Sequence, residues 1–163
     1  MSVKAKRLIN HYAEAMLDFL QTCVGTEYKI FPEVTLARIC EQVNKNKLEY
    51  ELRQFLFSCS SVDALIVDSD YNPCLVVEFQ SSYHDSAEAK ERDRKKAALL
   101  KLAGVPLIYS RIYNVKFLHI YSEEEAIIHN PFTGEGREDA QAFVRRYCEK
   151  STVSNIQLSN LPF

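Results

Sequence analysis

At 163 residues, 47% hydrophobic and 26% charged with only four Gly and five Pro, the chain has the length and composition of one globular domain with a sizeable core. Its net charge of −2 excludes the whole-molecule basic field of many nucleic-acid binders, although Lys and Arg cluster locally. Cys23, Cys40, Cys59, Cys74 and Cys148 include no C-x-x-C pair, so buried reduced thiols are expected rather than a zinc ribbon or a disulfide framework. The opening MSVKAKRLINHYAEAML lacks the apolar stretch of a signal peptide, and no segment could span a bilayer. These features lead us to expect a cytoplasmic protein with no membrane partner. No repeat, low-complexity tract or linker divides the chain. One domain is expected over 1–163, with a core of about 8–121 and a C-terminal helix and tail over 122–163.

In chain order, residues 4–23 space Leu8, Ile9, Tyr12, Ala13, Met16, Leu17 and Leu20 as an amphipathic helix that stops near Gly25. YKIFPEV (28–34) reads as a strand, LARICEQV (36–43) as a short helix and NKNKLEYE as a surface loop. FLFSCSSVDALIV (55–67) and PCLVVEFQ (73–80) read as an apolar hairpin. Asp85, with Glu88 three residues on, predicts a capped helix running to Ala103, ended by Gly104 and Pro106. VPLIYSRI (105–112) and VKFLHIY (115–121) read as strands, NPFTGEG as a loop and Glu138–Glu149 as a last helix. The tail STVSNIQLSNLPF predicts only a partly ordered arm or a frayed end. The fold class is α/β: a central mixed sheet flanked by helices.

Asp63 and Glu78 interrupt that hairpin. With a turn between Asp70 and Tyr71, the two fall opposite one another on one face, and Ser61 falls opposite Gln80. Like charges so placed repel, and buried carboxylates are costly without a positive partner. A divalent cation would reverse the sign, because Mg²⁺ needs only one or two carboxylates plus water and phosphate. Alternatively, one carboxylate sits at a strand end in water or pairs with a Lys or Arg.

Asp63 followed by a strand bearing Glu78-Phe79-Gln80 resembles the PD-(D/E)XK, or restriction-endonuclease-like, nuclease superfamily. More narrowly, the chain resembles an uncharacterised bacterial branch of it, some of whose members carry topoisomerase-type zinc ribbons. The matching residues run in order: Glu14 in the first helix, Val62-Asp63-Ala64-Leu65-Ile66-Val67, Glu78, Gln80 and His84, then Asp93 and Lys96 before GVPLI, over roughly residues 8–112. The resemblance implies a restriction-endonuclease-like core and a Mg²⁺- or Mn²⁺-dependent nuclease acting on DNA more readily than RNA. It implies that Asp63 and Glu78, with the Phe79 carbonyl, hold the metal, that Glu14 joins them, and that Gln80 positions water. Gln80 replaces the superfamily's Lys, so no charge sits there to stabilise the transition state. The zinc ribbon is missing, so targeting would fall to a partner protein or a homodimer.

AEAKERDRKKAALLKL (87–102) predicts a basic helix face. It reads either as a solvated face with pairs such as Glu91–Lys95, or as a phosphate-binding face using Arg92, Lys95 and Lys96. His84 could bind phosphate or shuttle a proton; Arg111, Tyr83, Tyr109 and Tyr113 are candidate groove residues. His11, His119 and His129 have no recognisable ligand spacing and read as structural. Neither a P-loop, a G-x-G-x-x-G nor a nucleophilic triad motif is present. The rival expectation is a non-catalytic nucleic-acid-binding or regulatory module that keeps the fold, such as one serving a mobile-element conflict system.

Overall fold

Central strands that are apolar on both faces must be covered on both sides, and the fold follows from that need. The computed structural model describes residues 10–41, 48–80, 86–113, 117–130 and 133–159. Its elements are α1 (His11–Val24), β1 (Lys29–Thr35), α2 (Leu36–Ile39), α3 (Tyr50–Leu56), β2 (Ser61–Val67), β3 (Pro73–Gln80), α4 (Ala87–Leu102), β4 (Leu107–Tyr113), β5 (Phe117–Tyr121), β6 (Ala126–His129) and α5 (Arg137–Ser159). The protein is α/β. The six strands form one mixed sheet in the order β1-β2-β3-β4-β5-β6. Neighbours are antiparallel except β3 and β4, which run parallel and are joined through α4.

Two cores sandwich the sheet. On one face α1 and α5 bring Met16, Leu20, Phe143 and Val144 onto Ala64, Ile66, Val77, Phe79, Leu118 and Ile120. On the other, α2, α3 and α4 bring Leu36, Leu56, Leu99 and Leu100 onto Val62, Leu65, Val67 and Val76. The alternation along β3, with Val76 on the α4 side and Val77 and Phe79 on the other, puts Glu78 and Gln80 on the α4 face. Asp63 of β2 lies between Val62 and Leu65, which both pack in the α4-side core. Pro32, which cannot donate to a ladder, sits in the edge strand β1.

Several elements depart from the sequence reading. Residues 50–56 form helix α3, and 57–59 a turn, so the strand begins only at Ser61. Leu48, Leu52, Phe55 and Leu56 all pack into the α4-side core, a helical spacing that the Phe55-Leu56-Phe57 run disguised as strand. The α4 cap is Ser86, whose hydroxyl accepts from the Ala89 backbone N–H at 3.1 Å, one residue beyond the Asp85 expected. AIIH forms the additional strand β6, and α5 continues to Ser159 where a partly ordered strand or arm or a frayed end was expected. Cys59 is exposed, whereas the other four thiols are buried.

Candidate functional site

The hairpin keeps the expected register over three pairs, Ala64 with Val77, Leu65 with Val76 and Ile66 with Leu75. It shifts between Ile66 and Val67, where Val67 pairs with Pro73, and the ladder ends short of the expected Asp63–Glu78 and Ser61–Gln80 pairs. The turn closes on Asp68, whose Oδ1 accepts from the backbone N–H groups of Asp70 (2.9 Å) and Asn72 (2.8 Å). One step beyond Ala64 the ladder gives way to side-chain chemistry. Asp63 Oδ2 accepts from the Phe79 backbone N–H at 2.6 Å, which fixes the Asp63 carboxylate beside Glu78. On its other side β1 pairs through Pro32–Ala64 and Val34–Val62 but skips Glu33, whose φ of 52° is unusual for a residue with a Cβ.

Glu78 is 1% exposed. Its Oε2 accepts from Lys96 Nζ at 2.7 Å, while its Oε1 is buried with no partner among the described residues. Burial pushes its carboxyl up to about 7; Lys96 opposes that shift, and Asp63 and Asp93 add to it. Next to it Gln80 donates from Nε2 to Asp93 Oδ2 at 3.0 Å. Asp93 and Lys96 are three apart on α4 and therefore share the helix face turned to the sheet. The positive charge absent from Glu-x-Gln thus arrives from the helix.

Other expected residues are placed differently. Glu14 lies on α1, which packs on the opposite face, and meets His11 Nδ1 at 3.6 Å. Among the described residues no three His, Cys, Asp or Glu side chains form a metal-holding group. The trio of Asp63, Glu78 and Glu14 is therefore not assembled. Tyr12 instead brings α1 near the site. Its ring meets Phe79 edge-on at 6.0 Å, and burial raises its hydroxyl pKa, with Ser110 opposing and Asp63 adding to the rise. Neither the Tyr12 nor the Ser110 hydroxyl has a partner in hydrogen-bond geometry among the described residues. Lys95 turns to Glu51 (3.6 Å) and Glu91 (3.7 Å), and Arg92 is exposed. Arg111 pairs in register with Gln80. His84, Tyr83 and Asp85 lie outside the described residues.

Tyr109, half-buried on β4, was named only as a groove candidate. Burial raises its hydroxyl pKa, and the nearby carboxylates Asp93 and Glu78 raise it further. Its closeness to the site depends on the parallel β3–β4 register, which the sequence does not carry.

A family model described as a protein of unknown function, DUF2726, matches residues 5–127. The chain belongs to that family. DUF2726 thus spans the described chain from α1 into β6 and holds every residue of the site, whereas α5 lies beyond the match. No curated protein and no solved structure matches the chain. No described helix is long and apolar enough to cross a membrane.

Proposed function

We propose that this chain is a divalent-metal-dependent nuclease whose site is Asp63, Glu78, Gln80, Asp93 and Lys96. One observation carries the reading: in the central strand β3, Glu78 is buried with one oxygen on Lys96 and the other without a hydrogen-bond partner among the described residues. An orphaned buried carboxylate oxygen costs free energy unless a ligand uses it. The ordered motifs shared with the PD-(D/E)XK superfamily point the same way.

Asp63 and Glu78 fit Mg²⁺ or Mn²⁺ as a pair of carboxylates, the orphaned Oε1 being the open ligand, and Glu14 is not needed. Such an ion acidifies bound water and neutralises charge on phosphoryl oxygens. The remaining work falls to this chain. Lys96 supplies the fixed positive charge that Gln80 lacks. Gln80, held by Asp93, is oriented to hold a water by hydrogen bonds. Phe79 N–H fixes the Asp63 carboxylate, so that geometry is set before substrate arrives.

The second reading, a non-catalytic module, draws on the same ion pair: Lys96 already neutralises Glu78 and Gln80 already satisfies Asp93, as a purely structural network would. Single-turnover cleavage of labelled DNA and RNA with Mg²⁺ or Mn²⁺ separates the two. Metal-dependent cleavage that is lost in Glu78→Gln is expected. Absence of cleavage by the wild type with either metal would leave the non-catalytic module.

A further inference from the structure

Among the described residues, the α4 face of the sheet is covered only in part. Its core draws on β2 and β3 with Val34 of β1 and Leu107 of β4, and no described residue of β5 or β6 belongs to it. Alternation along β5 marks the division. Leu118 and Ile120 are buried in the opposite core, while Phe117 is 39% exposed and His119 and Tyr121 are half-buried on the α4 side. Ile128 of β6, paired with His119, is 62% exposed.

What stands on this half is an aromatic array. Tyr109 and Tyr121 are cross-strand partners with rings stacked at 5.3 Å, and His119 stacks on Tyr121 at 5.0 Å. A cross-strand aromatic pair supports a sheet by itself, but that accounts for one pair and not for a ring-bearing half left outside the core. The array is continuous with the site: Arg111 stands in register between Gln80 and His119, and the Tyr109 hydroxyl lies near Asp93 and Glu78. Beside Tyr109 a groove of about 380 Å³ is lined by Lys90, Arg94 and Lys101, with Asp93 and Glu123 as its acids. Rings flanked by cations are what a flexible polyanion with open π-faces requires.

We propose that this strip of β4 and β5 is a stacking platform for single-stranded DNA, which leads the strand to Glu78. This rests on the nuclease reading and adds its substrate class. Bases of a single strand have free faces to lay on Phe117 and His119, whereas those of a duplex stack on one another. Arg111 and the groove cations meet the phosphates. Rings and a guanidinium do not address a 2′-hydroxyl, so the choice of DNA as the occupant follows the nuclease reading.

The test is fluorescence anisotropy of labelled oligo(dT) binding in EDTA, where cleavage plays no part. Wild type should bind oligo(dT) roughly ten-fold or more tighter than a duplex of equal length, and Phe117→Ala and His119→Ala should each weaken binding roughly ten-fold. His119→Phe should keep it, as should Ile112→Ala, an exposed residue facing away from the strip. Circular dichroism checks that each variant is folded. The chain has no Trp, so tyrosine emission of the wild type provides a readout independent of the variants, and oligo(dT) should quench it where duplex does not. Equal or tighter duplex binding, folded alanine variants with unchanged affinity, absent quenching, or a preference for oligo(U) would overturn the proposal. Cleavage that ignores the platform variants overturns the platform and leaves the nuclease reading. Platform-dependent binding without cleavage in Mg²⁺ or Mn²⁺ does the reverse.

Discussion

The two faces of the sheet solve the same burial problem by different chemistry. Against α1 and α5 the sheet buries carbon, with Val77, Ile108, Ile120 and Phe143 essentially inaccessible. Burying such side chains stabilises by about 1.5–3 kcal/mol each. Against α4 the same strands bury Leu65 and Val76, then turn to Glu78 and Gln80 at the end of β3. Charges there need partners, and Lys96 and Asp93 supply them. The apolar face gains stability from every residue, whereas the α4 face gives some up at the end of β3 to hold a carboxylate where water is excluded. A structural role alone does not require that, because well-packed apolar residues commonly match or exceed a buried ion pair.

The strongest way to break this contrast is Lys96→Met. It leaves the Glu78 carboxylate buried without its cation and should cost about 3–5 kcal/mol at pH 8, read by urea unfolding. The pH dependence has a definite sign. Glu78 has a folded pKa of about 7, raised from 4.5, so its contribution to stability is full below about pH 4.5 and is lost as pH rises through about 7. Without Lys96 the folded pKa rises further, so the cost should shrink to about 1–2 kcal/mol at pH 5, where Glu78 is protonated. A penalty equal at both pH values would mean that the pair is not held as described.

Catalytic loss comes next. Gln80→Ala frees Asp93 from its tie and removes a positioned amide. Single-turnover cleavage should fall about ten- to a thousand-fold, the scale of losing one placed donor. An unchanged rate would remove Gln80 from the site.

Asp63→Asn keeps an oxygen for the Phe79 N–H but removes the charge beside Glu78. It should raise metal-free stability at pH 8 by about 1 kcal/mol, an estimate based on the relief of one like-charge contact. On the proposed reading Mg²⁺ or Mn²⁺ should raise the melting temperature of the wild type by binding the native state, and the same change should abolish that rise. Equal metal-induced shifts in both proteins would count against the carboxylate pair as the metal site.

At the small end is an exposed pair on the same helix. Arg94 meets Glu91 at 2.7 Å, but both side chains are about half exposed. Arg94→Ala should change stability by less than about 0.5 kcal/mol, because solvent screens such pairs. A larger effect would blur the distinction between α4's inner and outer charges.

How much of this was legible depended on whether local pattern or tertiary placement decided it. The run PCLVVEFQ defines β3 because a central strand buried on both faces is apolar at nearly every position, and its bounds match the structure. The cap-and-glycine punctuation likewise gave α4 to within a residue or two. Helix α3 was hidden because its apolar residues run into those of the next strand, and β6 because four residues are too few to show a period. The register of Ala64–Val77 follows the sequence count although a shift between Ile66 and Val67 separates it from the turn, and the Lys96–Glu78 bond depends on how α4 rotates over the sheet. Glu14 and Tyr12 show the limit most clearly. They are two apart on α1, so they point to different sides, and the packing that turns Tyr12 toward Phe79 leaves Glu14 exposed. The resemblance implied Glu14 at the site, whereas the α1 residue that the structure brings to Phe79 is Tyr12.

The central claim is that Lys96, from the helix, supplies the charge that the strand lacks at Gln80. Its most direct test is the single-turnover cleavage rate of labelled single-stranded DNA in Mg²⁺ or Mn²⁺, compared among wild type, Lys96→Met and the double variant Lys96→Met/Gln80→Lys, each checked for folding. The account predicts that wild type cleaves, that Lys96→Met loses at least about a hundred-fold as expected for one preorganised charge, and that Gln80→Lys restores much of the loss. Lys96→Met cleaving at the wild-type rate, or no cleavage by wild type with either metal, would contradict it.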